Sequence, residues 1–228
     1  MHVTRRQFLE CTAAAAVPLR WRLGGPPLPV TARLDKVILD LGVNCSLRES
    51  VSGYAAVLGA AALRTDMSSM QPPDVLIVPA VLEIPSRAIQ AMIACLDSGG
   101  LVILESGAGF ASAADFSRHR TLLREALEVH VEPLVDLWSQ SGGSAIPYID
   151  FTWPCKVKIR DFSRVVPLTG EAGEIIAQVN GLPAALRRRS DRGTLIVLGS
   201  PLGPVLWTGD HEARQWLRVV IEATPGWG

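Results

Sequence analysis

A three-layer α/β fold, with a mostly parallel central sheet and an antiparallel β extension in its second half, is predicted by three observations. The near-continuous apolar runs Asp74-Val75-Leu76-Ile77-Val78-Pro79 and Leu101-Val102-Ile103-Leu104 read as strands buried on both faces, the pattern of a parallel sheet covered by helices. Between them Pro85 opens a segment whose apolar residues Ile89, Met92, Ile93 and Leu96 recur at three- and four-residue steps until Gly99-Gly100 stops it. A right-handed crossover closes such a strand–helix–strand unit. Beyond about residue 129 the apolar segments become shorter and more alternating, with Gly, Pro and Ser turns between them, as antiparallel strands are.

The elements follow in order. Lys36-Val37-Ile38-Leu39-Asp40-Leu41 is a short buried strand ending at Gly42. Glu49 to Ala62 carries small and apolar residues suited to a helix packed closely on a sheet, and Ala62-Leu63-Arg64-Thr65 is a brief second strand. After Leu104 the turn Glu105-Ser106-Gly107-Ala108-Gly109-Phe110 leads into a helix from about Ala111 to Glu128, with Phe116, Leu123 and Leu127 on one side. Further strands are expected around Val129 to Val135, Ile146 to Thr152, Lys156 to Arg160, Glu174 to Val179 and Pro183 to Arg189. Ser190-Asp191-Arg192-Gly193 turns the chain into Thr194-Leu195-Ile196-Val197-Leu198-Gly199, a hairpin whose second strand rejoins the central sheet. Asp210 caps a last helix with Trp216, Leu217, Val220 and Ile221 on its buried stripe. This alternation is that of flavodoxin-like and Rossmann-like sheets.

Composition acts mainly by exclusion. A 48% hydrophobic and 19% charged chain is globular rather than disordered, and a formal net charge of zero lacks the positive field that phosphate backbones recruit, so nucleic acid is not an expected partner. Cys11, Cys45, Cys95 and Cys155 are far apart and form no C-x-x-C pair, so no metal site is expected, and no cofactor is implied. Residues 1–33 read as a leader followed by a Pro/Gly linker, and residues 34–228 as a single domain. Thr4-Arg5-Arg6-Gln7-Phe8-Leu9 with the apolar run Thr12 to Leu19 resembles the bacterial twin-arginine export signal. That resemblance implies the Tat translocase as a partner during export, through Arg5 and Arg6, and a periplasmic or secreted mature protein. No later apolar run reaches the roughly 18 residues needed to span a bilayer.

The order of elements, the elbow-like turn Glu105 to Phe110 and the late strand Leu195 to Gly199 with Ser200-Pro201-Leu202 resemble the class I glutamine amidotransferase-like superfamily over roughly residues 34 to 223. Active members carry a Gly-x-Cys-x-Gly elbow and a late His-Pro-Glu, in which the thiolate attacks, the imidazole moves the proton and the carboxylate orients it. In this chain the resemblance places the nucleophile on Gly107, the His on Ser200 and the Glu on Leu202, so all three functional groups are absent. It therefore implies a catalytically degenerate domain, a ligand-binding or accessory module with a small polar ligand or a protein as partner.

Ligands of such sheets sit outside the carboxyl ends of the strands. That rule nominates Asn44 and Cys45 after the first strand, Glu83 after the third, Glu105 and Ser106 at the turn, and Ser200 after the late strand. Asn44, Glu83, Glu105, Ser106 and Ser200 are the expected ligand-binding set, converging on one pocket. A competing reading has Ser106 capping the following helix and Glu105 bonding a neighbouring loop. The alternative function is a hydrolase with a relocated site around Glu105, Ser106 or Cys45. His119, His130 and His211 read as surface residues. Arg187, Arg188 and Arg189 could bind an anion but should alternate faces of their strand, as a solvated edge protected against pairing, and Trp138, Trp153, Trp207 and Tyr148 are either a stacking surface or core.

Overall fold

The computed structural model describes residues 34–45, 47–66, 71–106, 112–140, 147–160, 164–190 and 192–223. Its first half alternates strands and helices: β1 (Lys36–Leu39), α1 (Arg48–Leu58), β2 (Leu63–Arg64), β3 (Val75–Val81), α2 (Ser86–Asp97), β4 (Leu101–Ser106) and α3 (Ala113–Leu127). The second half runs β5 (Val135–Asp136), α4 (Leu137–Gln140), β6 (Tyr148–Phe151), β7 (Val157–Arg160), β8 (Arg164–Val165), β9 (Glu174–Val179), β10 (Leu182–Arg189) and β11 (Thr194–Leu198), then α5 (Gly203–Trp207) and α6 (His211–Ala223).

Among the described residues nine strands form one mixed sheet in the order β2-β1-β3-β4-β11-β10-β9-β6-β7. The pairs from β2 to β11 are parallel, and those from β11 to β7 are antiparallel. The expected fold class, parallel first and antiparallel later, is thus observed. As expected, β11 returns to the centre, pairing parallel with β4 from Thr194↔Leu101 to Leu198↔Glu105.

Side-chain alternation along the central strands builds a core on each face. Ile38, Ile77, Ile103 and Ile196 face one way and pack with Tyr54 of α1, Leu206 of α5, and Trp216, Leu217, Val220 and Ile221 of α6. Val37, Leu76, Val102, Leu195 and Val197 face the other way, against Ala88, Met92 and Cys95 of α2 and Leu123 and Leu127 of α3. The result is a helix–sheet–helix sandwich.

Local chemistry explains several boundaries. Asp210 Oδ1 accepts the Ala213 N–H at 2.8 Å, as expected of a cap for α6. On α2 the buried stripe is Ala88, Met92, Cys95 and Leu96, while Ile93, expected inside, is 40% exposed. Val129 to Val135 is not a continuous strand: Val131 makes an isolated bridge to Leu168, and Val135 opens the two-residue β5, which pairs with β8. The antiparallel half is organised by a hairpin between β9 and β10, whose Asn180 (φ 49°) and Gly181 (φ 78°) supply the two left-handed residues of a tight turn. Among the described residues no helix is long and apolar enough to cross a membrane.

Candidate functional site

At the carboxyl end of β4 two consecutive polar residues part company. Successive strand side chains point to opposite faces, so Glu105 enters the layer of α1 and α5 while Ser106 enters that of α2 and α3. Both side chains are fully buried.

From the described residues Glu105 accepts four hydrogen bonds. Tyr54 Oη donates to Oε1 at 2.7 Å, as do the backbone N–H groups of Leu202 at 2.8 Å and Gly203 at 2.9 Å, and the Ala80 N–H donates to Oε2 at 2.9 Å. The chain bends to make this cage. A register shift between Val78 and Val81, with Ala80 at φ 39°, turns the Ala80 N–H out of the strand ladder. Helix α5 comes close because α1 presents glycine to it: a Cβ on Gly53 would fall 1.8 Å from the Gly203 carbonyl oxygen, and one on Gly203 would fall 2.2 Å from the Ser50 Cα. Burial raises the Glu105 carboxyl above its ordinary pKa, with the Tyr54 hydroxyl and the N–H groups of Gly203 and Leu202 pulling the other way. Burial, and then the neighbouring carboxylate, push the Tyr54 phenol well up. Each of these four partners donates to the carboxylate, so the ionised form is the one held. Its chemistry is that of a brace joining β4 to α1, β3 and α5.

On the other face Ser106 Oγ lies 2.9 Å from His119 Nε2, and His119 Nδ1 lies 3.1 Å from the Leu82 carbonyl oxygen. A carbonyl only accepts, so Nδ1 carries the proton and Nε2 accepts from the Ser106 hydroxyl. Burial lowers the imidazole to a pKa of about 4, partly opposed by the Leu82 carbonyl, which leaves it neutral at pH 7. His119 is therefore not the surface residue expected: it is 3% exposed on the inner stripe of α3. The cap of α3 is also not Ser106 but Ser112, whose Oγ accepts the Asp115 N–H at 3.2 Å.

His119 forms part of the wall of a pocket of about 460 Å³ beyond β1 and β3, lined also by Asn44, Glu83, Ile84, Asp115, Arg118 and Leu122. Asp115 and Arg118 form an ion pair on its rim, and Ser112 Oγ donates to Asp115 at 2.7 Å, the contact that chiefly lowers this carboxyl. Of the five residues expected to converge, Asn44 and Glu83 share this pocket, whereas Glu105, Ser106 and Ser200 are not among its lining. Ser200 is buried behind β11. Cys45 is buried, bridges to Val81 and donates its thiol to the Leu47 carbonyl at 3.1 Å, and burial raises its pKa, so it stays a thiol. Gly107 to Ala111, with the elbow, and Arg5-Arg6 lie outside the described residues.

The remaining candidates have structural partners. His130 faces Glu171 at 3.5 Å, and Glu212 accepts the Lys158 N–H of β7 at 2.6 Å. Arg187 and Arg188 point to opposite faces as expected, the first over Trp153 at 4.2 Å and paired with Glu174, the second 3.4 Å from Glu128, but their strand is not the edge expected, since β10 is paired on both sides, with β11 and β9. Trp153 also accepts the Trp216 indole N–H at 2.9 Å on its carbonyl, whereas Trp138, Trp207 and Tyr148 are exposed. His119 and Tyr54 are the site residues that sequence reasoning missed. For His119 a signal existed: His119, Leu123 and Leu127 are spaced by four, so the helix face that buries the leucines buries the imidazole too.

No family model matches the chain, and no curated protein matches it in sequence. Solved structures do. A β-galactosidase from a Rahnella species superposes with a TM-score of 0.52 at 14% identity, over 74% of this chain and 26% of its own. A cytoplasmic protein of Salmonella typhimurium superposes with a TM-score of 0.53 at 15% identity, over 77% of this chain and 86% of its own. A second cytoplasmic protein of that organism gives 0.54 at 10% identity, over 75% and 85%. The chain thus spans 26% of the β-galactosidase and most of the two cytoplasmic proteins. At such identities what these proteins share with the chain is the α/β fold.

Proposed function

We propose that the chain is a catalytically degenerate amidotransferase-like domain acting as a ligand-binding or accessory module, which takes a small polar ligand in the pocket beyond β1 and β3. The observation that carries this reading is the pocket itself. It lies at the carboxyl ends of parallel strands, where open α/β sheets hold ligands, and it sets an apolar wall of Ile84 and Leu122 beside Asn44, Glu83, Asp115 and Arg118. Degeneracy is supported by Gly107, Ser200 and Leu202 at the resemblance's nucleophile, base and orienting positions, since none of them supplies a thiolate, an imidazole or a carboxylate. Leu202 gives its N–H to Glu105. Export through the Tat translocase to the periplasm or beyond belongs to the same proposal, on the strength of Arg5-Arg6 and the apolar run after them.

A thermal-shift screen of the full chain against sugars, nucleotides and amino acids tests the pocket, because a ligand selective for the folded state raises its melting temperature. One chemical class should raise it, and Glu83→Ala or Arg118→Ala should erase the rise. No shift with any class, or a shift indifferent to both substitutions, rejects the pocket. Arg5-Arg6→Lys-Lys should keep the protein in the cytoplasm, and its continued appearance outside removes the export part. Of the hydrolase alternative, Glu105 is engaged by four donors and Cys45 stays protonated, so it rests on Ser106 and the imidazole beside it.

A further inference from the structure

We propose that Ser106 and His119 are a nucleophile and its general base, and that this chain forms an acyl-enzyme on Ser106 Oγ from small acyl esters. The inference goes beyond the binding reading and uses it only for the side from which the acyl donor approaches.

Three features of the pair support it. The Oγ···Nε2 distance of 2.9 Å is within the reach a general base needs to take a hydroxyl proton. The tautomer is fixed: the Leu82 carbonyl, 3.1 Å from Nδ1, holds that nitrogen as the N–H and aims the lone pair of Nε2 at the hydroxyl. The location is apt as well, since Ser106 ends a central parallel strand and His119 walls a pocket large enough for a small substrate. A merely structural serine at a strand end is satisfied by any backbone carbonyl, whereas here a buried imidazole is spent on it. The pKa of about 4 keeps the base neutral and ready at pH 7, at some cost in basicity.

The reaction balances without any further reagent. As Oγ bonds to the carbonyl carbon of the ester, the Ser106 proton passes to His119 Nε2. The tetrahedral adduct collapses, the ester C–O bond breaks, and the imidazolium returns that proton to the departing alkoxide, which leaves as an alcohol. Water then adds to the acyl-serine, gives its proton to Nε2, and the carboxylic acid departs as Ser106 Oγ regains a proton. The imidazolium is braced by a neutral carbonyl, where a triad has a carboxylate, so turnover is slow. Ser106 is fully buried and bonded to His119, and only His119 of the pair lines the pocket, so the acyl donor must be small enough to pass the imidazole.

Covalent capture on the full chain is the direct test, with methanesulfonyl fluoride, whose reacting group is no larger than a small acyl donor, as probe and peptide mapping by mass spectrometry. The expected result is a single adduct on Ser106 under native conditions, abolished in Ser106→Ala, slowed roughly 100-fold or more in His119→Gln, and formed at the wild-type rate in Cys45→Ala. An unlabelled Ser106 in the native wild type overturns the proposal, and so does labelling that appears only in denaturant or at an undiminished rate in His119→Gln. The wild-type map decides even where His119→Gln fails to fold. The Ser106→Ala variant separates the two readings: if it keeps the thermal shift, binding stands whether or not Ser106 is acylated, and if wild-type Ser106 is labelled while no ligand shifts the protein, acylation stands alone.

Discussion

Glu105 and Ser106 are neighbours in the chain, yet their side chains end in opposite layers, one bonded to Tyr54 of α1 and the other to His119 of α3. A single β-strand thus separates a carboxylate committed to holding elements together from a hydroxyl aligned with a base.

The carboxylate is expected to be a stability residue. In Glu105→Gln the amide N–H₂ must face one or more of the Ala80, Leu202 and Gly203 N–H groups, leaving a buried donor unsatisfied, at about 1–3 kcal/mol. Glu105→Ala strands all four donors and should cost more. Urea denaturation measures both, and a Glu105→Gln variant within about 0.5 kcal/mol of wild type would show that the cage contributes little.

Close approach of α1 and α5 makes Gly203 intolerant. Its Cβ would meet Ser50 Cα at 2.2 Å, a backbone contact that only a shift of one helix relieves, so Gly203→Ala should lose about 3 kcal/mol or more. Gly42, with φ 61° and nothing within 4 Å of its Cβ position, provides the contrast. Gly42→Ala should cost about 1–2 kcal/mol, from its left-handed backbone alone. Equal melting temperatures for the two variants would contradict the packing account.

Acid should act through His119. Its folded pKa of about 4 lies below the ordinary 6.5, so between those values the unfolded chain binds the extra proton. The associated stability is complete above pH 6.5 and is lost as pH falls toward 4, amounting to about 3 kcal/mol. Denaturation at pH 7 and pH 4.5 should therefore show a larger drop for wild type than for His119→Gln. Parallel losses in the two proteins would place the acid sensitivity elsewhere.

Much of this architecture was legible in the chain because it rests on burial. The runs at Val75 and Leu101 are apolar on both faces, and the stripe Trp216, Leu217, Val220 and Ile221 has a helical period, so β3, β4 and α6 declare themselves. The pairing of β9 with β10 carries only a local signal, Asn180-Gly181, the dipeptide that a tight hairpin uses. The site was harder. Alternation along Leu101 to Ser106 already parts Glu105 from Ser106, but their partners Tyr54, Ala80, Leu202 and His119 come from up to 97 residues away in sequence, and only the assembled sheet brings them together. The short α5 carries its N–H groups to Glu105 through a glycine contact that no periodicity announces.

The insertion of β11 between β4 and β10 also shapes how the chain emerges from the ribosome. One flank of β4 is covered early by β3, but the other must wait for Thr194–Leu198, about 90 residues later. At typical rates of synthesis that open flank is exposed for about 5–20 s. During this interval the strand Leu101-Val102-Ile103-Leu104 offers an unpaired edge of apolar residues, the vulnerable moment at which a chaperone has most to protect.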